Sequence, residues 1–171
     1  MVATPGTFDI YAASELIGKV KFVGANDIGP MLTVELNRVM FRPSNPVGFI
    51  QDEWGQLQIT GEVLVDDTGK FGTITHPDTA LVSPLVDMYY IGKGVVSIQL
   101  EAESTFRDIG NVPVFEFAPN VTTLPHFSSR YGVRAKDLEV ITEKSAALNI
   151  TMDEFTFENM KLALLGETTV P

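Results

Sequence analysis

The stretch DLEVITEKSAALNITM, Asp137 to Met152, decides the fold. Its even positions read Leu138, Val140, Thr142, Lys144, Ala146, Leu148, Ile150 and Met152, and its odd positions read Asp137, Glu139, Ile141, Glu143, Ser145, Ala147, Asn149 and Thr151. Side chains alternate across a strand, so one mainly apolar and one mainly polar face predict a long half-buried β-strand. Lys144 interrupts the apolar face, which a bend accommodates, or two strands meeting near Glu143 to Ser145.

Outward from this strand the same period recurs between Gly, Pro, Asn and Asp punctuation. Leu57 to Val65 places Leu57, Ile59, Val63 and Val65 on one face. Asp66-Asp67-Thr68-Gly69 then reads as a turn in which Gly69 supplies a positive φ. Phe71 to Thr75 is expected to return as the hairpin partner of that strand. Met31 to Arg42 is extended, but its apolar phase slips from Leu32-Val34-Leu36 to Val39-Phe41, which predicts a β-bulge near Asn37-Arg38. Shorter strands are expected at Phe8 to Tyr11, Ile17 to Val23, Gly94 to Leu100 and Val114 to Phe117. One segment, Phe157 to Leu165, reads as helix: Thr156 is the N-cap, Glu158 favours the first turn and Gly166 takes the C′ position. Phe157, Met160, Ala163 and Leu164 form its expected buried stripe. The result is a mainly β chain with one packed helix. We expect a single domain over residues 1–171, with β-rich halves of about 1–77 and 88–171 joined by a weakly patterned connector, 78–87.

Composition narrows the function. With 44% hydrophobic and 20% charged residues, the 171-residue chain has enough apolar content for a packed core. No apolar run approaches the roughly 18 residues of a membrane-spanning helix, and the first residues lack the basic and apolar regions of a signal peptide. There is no cysteine, which excludes disulfides and thiolate metal sites and suits a reducing cytoplasm. His76 and His126 are the two histidines, and neither has ligands at metal-binding spacing. No phosphate-binding loop, nucleophile elbow or zinc-protease motif is present. The carboxylates Asp52-Glu53, or Glu101 and Glu103, read as solvated faces rather than an acid/base pair. We therefore expect no enzyme and no cofactor. The net charge of −10 is the wrong sign for gripping phosphates. It fits either plain solubility or a surface that DNA passes without sticking.

Between the strand ending near Phe117 and the strand from Asp137, residues Pro119 to Arg134 read as a long loop. A loop of this length is usually functional, and its aromatic and arginine content is typical of interface anchors. Leu124, His126, Phe127, Ser129, Arg130, Tyr131 and Arg134 are the candidate assembly residues.

Several blocks carry a family resemblance: Arg107 to Pro113, Thr123 to Asp137, Asn149 to Met160 and Leu162 to Glu167. In this order, from about Tyr89 to Glu167, they resemble the tail-tube (major tail) proteins of long-tailed bacteriophages. Val39 to Val65, above all Phe49 to Gly55 and Gly61 to Leu64, resembles a segment of the C-terminal half of such proteins, yet here it comes first. Met88 to Gly94 looks like a family start. The two halves thus read as exchanged relative to the usual order, and Met1 and Pro171 are expected to lie close together or on one surface.

The resemblance implies an antiparallel β-sandwich or barrel with one helix, closing hexameric rings that stack into a hollow tube for DNA delivery. Its partners would be copies of itself and other tail proteins, with DNA sliding past unbound and no membrane contact. Its place would be the virion tail, assembled in the bacterial host cytoplasm. Glu139 and Glu143 are candidate lumen residues. The competing expectations are a monomeric β-sandwich that binds a ligand or carbohydrate, and a tail-terminator or type VI secretion tube protein.

Overall fold

The computed structural model describes residues 6–50, 52–77, 89–130 and 132–168. The strands are β1 (Phe8–Asp9), β2 (Leu16–Gly24), β3 (Thr33–Pro43), β4 (Leu57–Val63), β5 (Gly72–Thr75), β6 (Gly94–Leu100), β7 (Arg107–Asp108), β8 (Val114–Ser128), β9 (Ala135–Met152) and β10 (Glu167–Thr168), with one helix, α1 (Phe157–Ala163), before β10. All pairings between them are antiparallel. The main sheet runs β7-β6-β2-β3-β4-β9-β8, with β5 also on β3. Strands from the two sequence halves interleave in this order and contribute to one core. The connector expected at 78–87 lies outside the described residues.

The path is open, so there is no closed barrel, but the sheet rolls onto itself. Phe22 of β2 stacks on Phe115 of β8 with ring centroids 5.4 Å apart. Four strand spacings would hold those strands about 19 Å apart in a flat sheet. Rolling places two layers face to face around Val20, Val39, Phe41, Leu57, Ile59 and Leu148, as in a sandwich.

The bulge expected in β3 is present. Gly18 pairs with Val39 and Val20 with Leu36, so β3 carries one extra residue at Asn37-Arg38. The bulge explains a failed expectation. β5 does not pair with β4 but with Thr33–Leu36 of β3, while β4 pairs with Val39–Pro43 of the same strand. The intervening turn docks on the bulge, where Asn37 N donates to Phe71 O and Leu64 N to Arg38 O.

Asp66 organises that turn. Its Oδ1 accepts from Thr68 Oγ1 (2.7 Å), Lys70 N (2.9 Å) and Thr68 N (2.8 Å), and its Oδ2 accepts from Asn37 Nδ2 (2.7 Å). The Thr68 hydroxyl first, then the Lys70 amide, hold this carboxyl far below the ordinary carboxylate range. A depressed folded value stabilises the fold above the unfolded pKa of about 3.9 and ceases to do so as pH falls further. Asp66→Asn is therefore expected to be less stable than wild type at pH 7. The gap should narrow progressively as pH falls below about 4, as urea midpoints measured at successively lower pH will show.

The helix begins as expected, with Thr156 Oγ1 accepting from Asn159 N at 3.2 Å. Its buried face differs: Asn159, Leu162 and Ala163 point inward, with Met160 partly covered. Phe157 instead meets Phe8 edge-on at 5.3 Å, beside the β1–β10 pair. The helix end also differs. Leu165, not Gly166, takes the left-handed C′ conformation (φ 47°), and Gly166 N donates to Lys161 O as the next residue of a Schellman motif. Gly166 is small because a Cβ there would strike the Phe8 ring. Tyr11 N and Ala13 N donate to the helix-end carbonyls of Leu164 and Leu165. The two ends of the described chain are thus adjacent, with Phe8 opposite Thr168. Met1 and Pro171 themselves lie outside the described residues.

Candidate assembly arm

Pro119 to Ser128 is not a loop. β8 continues to Ser128, paired with β9 back to Ala135. Pro119 and Pro125 disguise the strand in the sequence, yet an edge strand tolerates proline because one side of its ladder needs no N–H. The last partner of β4 on β9 is Ala146. Up to that point β9 is covered on its other edge, and Ala146, Leu148, Ile150 and Met152 are buried. Beyond it β9 has only β8, and Ala135 to Lys144 are exposed on both faces. The expectation of a half-buried strand therefore holds for its second part alone. The first part, with β8, forms a two-stranded arm reaching about 25–30 Å from the body at strand rise.

Two bulges shape the arm. Thr122 pairs with Glu143 but Thr123 with Ile141, leaving Thr142 extra, and His126 pairs with Leu138 but Phe127 with Lys136, leaving Asp137 extra. Each extra residue is tied across the ribbon: Thr142 Oγ1 donates to Thr122 O at 3.1 Å, and Asp137 Oδ1 contacts His126 Nδ1 at 2.6 Å. Each bulge also reverses the pleat. One face carries Leu124, His126, Leu138, Val140 and Glu143, and the other Val121, Phe127, Lys136, Glu139 and Ile141. Both faces carry large exposed apolar side chains, Leu124 at 64% on the first and Ile141 at 54% on the second among them.

The second face also holds the charge contacts. Glu139 accepts from Lys136 Nζ (2.7 Å) and Thr123 Oγ1 (2.8 Å), and the Lys136 hydrogen bond leads in lowering its pKa. Arg134 lies 4.7 Å from the Phe127 ring centre in a cation–π contact. Gly132 takes φ 78° at the open tip, near Ser129 and Arg130. Arg130 makes no ion pair among the described residues.

Of the candidates read from sequence, Leu124, His126, Phe127, Ser129, Arg130 and Arg134 all fall on the arm or its tip. Tyr131 lies outside the described residues. The lumen candidates Glu139 and Glu143 share a parity in sequence but lie on opposite faces, because the Thr142 bulge separates them. Val121, Leu138, Val140 and Ile141 were missing from the sequence-based interface. Their signal is the slip from even to odd apolar positions between Val140 and Ile141, the same mark that located the β3 bulge.

Away from the arm, a polar groove of about 590 Å³ is lined by Lys19, Arg38, Asp66, Asp67, Glu101 and Glu103, among others. Glu103 is committed to structure, accepting from Leu100 N at 3.1 Å. Among the described residues no group of three or more His, Asp or Glu is placed to hold a metal ion.

No curated protein and no solved structure matches the chain. Residues 89–170, the segment that carries β6 to β10, the helix and the whole arm, match the model of a family described only as a protein of unknown function.

Proposed function

We propose that this chain is a structural subunit that assembles with copies of itself into stacked hexameric rings, as the tail tube of a long-tailed phage through which DNA is delivered. The arm carries this reading. A two-stranded ribbon is marginal in water, and this one has large apolar side chains on both faces. Such a ribbon is stabilised when a neighbour covers it. The open edges at β7 and β8 leave ladder groups for a neighbouring subunit, which a tube turns from a hazard into a joint. The net charge of −10 suits a channel that DNA crosses without being held.

The test is negative-stain electron microscopy with light scattering across a concentration series. Wild type is expected to form hollow stacked rings. Leu138→Glu combined with Val140→Glu places charge on one arm face and should raise the assembly concentration at least about a hundredfold, since losing about 3 kcal/mol of contact corresponds to that factor. Its circular dichroism should be unchanged. A uniform wild-type monomer at every concentration would defeat self-assembly and put the monomeric ligand-binding reading first.

A further inference from the structure

The connection between β3 and β4 shows three large apolar side chains to solvent: Phe49, Ile50 at 99% and Trp54 at 94% exposure. Its base is anchored, with Val47 packed against the core and Asn45 hydrogen-bonded to Gln58. These side chains are left largely uncovered by the described residues, and an aromatic cluster held this way marks an interaction surface.

Its position identifies the partner. The connection leads into Leu57, which pairs with Met152, and the arm leaves the body beyond Val63, which pairs with Ala146. The two features therefore lie at opposite ends of β4, about 20 Å apart along the strand, and cannot meet within one chain. Their chemistry is complementary. From Leu124 to Lys136 the arm holds Arg130, Arg134 and Lys136 and no carboxylate, a local reversal in a chain of net charge −10. Residues 44–56 hold Asp52 and Glu53 and no Lys or Arg. Arginine beside tryptophan and aliphatic side chains is the usual make-up of an interface hot spot.

We propose that the arm of one copy docks on the surface formed by Phe49, Ile50 and Trp54 of the next copy, head to tail. This rests on the self-assembly reading and specifies its axial joint. The contact joins unlike patches at opposite ends, so it repeats along the strand direction without closing, which is the geometry of stacking rather than of ring closure.

Trp54 is the sole tryptophan and the chain has no cysteine, so both a fluorescent reporter and a clean cross-linking background already exist. On assembly, Trp54 emission should shift to the blue and its acrylamide quenching should fall several-fold. Ile50→Cys and Leu138→Cys chains, oxidised after mixing, should give a disulfide dimer that neither chain gives alone. Trp54→Ala should raise the assembly concentration roughly thirtyfold, the factor expected of a hot-spot residue. Arg130→Glu with Arg134→Glu should weaken assembly, and Asp52→Lys with Glu53→Lys in the partner chain should restore it. If wild type assembles while Trp54 stays fully quenchable and the mixed dimer is absent, the docking proposal is overturned and self-assembly stands. If wild type never assembles, both fall.

Discussion

Replacing Asn159 with leucine is expected to destabilise the fold by about 3–5 kcal/mol, because several buried or partly buried polar groups lose their partner together. Asn159 is fully buried on the inner face of the helix. Its Nδ2 donates to Ile109 O (2.9 Å) and Glu154 O (3.0 Å), and its Oδ1 accepts from Arg107 Nη1 (2.8 Å). One carboxamide thus ties the helix to β7 and to the segment before the helix. Arg107 already has a buried Nε without a partner, so its guanidinium has little else to turn to. Leucine matches the volume but offers no donor or acceptor, and each orphaned group forfeits about 1–3 kcal/mol. Urea unfolding should show the loss as a lower midpoint with an unchanged slope. It should be run at concentrations where the midpoint is independent of concentration, since assembly would add apparent stability. A loss below about 1 kcal/mol would show that the network does not hold the helix.

Leu148→Ala is expected to cost about 4 kcal/mol, near the upper end for a buried leucine. Leu148 is fully buried on β9, between Gly61 of β4 and Phe117 of β8. The cost of such a truncation depends on whether neighbours can collapse into the space. Gly61 has no side chain to offer, and a Cβ there would lie 2.4 Å from Val39 Cγ1. The packing gap left by Gly61 is already filled by Val39. Gly61→Ala alone should therefore destabilise by overpacking, about 1–3 kcal/mol. In the Leu148→Ala background Val39 can yield toward the new cavity, so the pair should be less harmful than the sum by about 1 kcal/mol. Simple additivity in that cycle would contradict the packing described.

The parts legible in the sequence were those set by short-range pattern. Gly94–Leu100 matched its strand to the residue, Leu57, Ile59 and Val63 faced the core, and the phase slip placed the β3 bulge at Asn37-Arg38. Thr156 capped the helix because a hydroxyl and the amide three residues on are fixed by local geometry alone. Partner choice was not legible. Phe71–Thr75 looked like the mate of β4 because proximity in sequence favours a hairpin, but the bulge opened a second site along β3 and β5 took it. Asn159 was not in the buried stripe read from the sequence, since nothing local announces that Ile109 O and Arg107 will arrive from fifty residues away.

The arm draws the same line. Alternation in Asp137 to Met152 determined that the segment is a strand, because the pleat is a property of the chain itself. Which part of that strand is buried depended on where β4 ends, and β4 ends at Val63 opposite Ala146. Periodicity records that a face is apolar but not what covers it. From Ala146 onward the cover is this chain's own sheet, and before it, among the described residues, no strand but β8 lies against β9. Composition and order by themselves determined a β-rich chain with one capped helix. Only the tertiary structure decided that the apolar residues Leu124, Leu138, Val140 and Ile141 would be left facing outward, because burial is settled by strands far apart in sequence meeting in space.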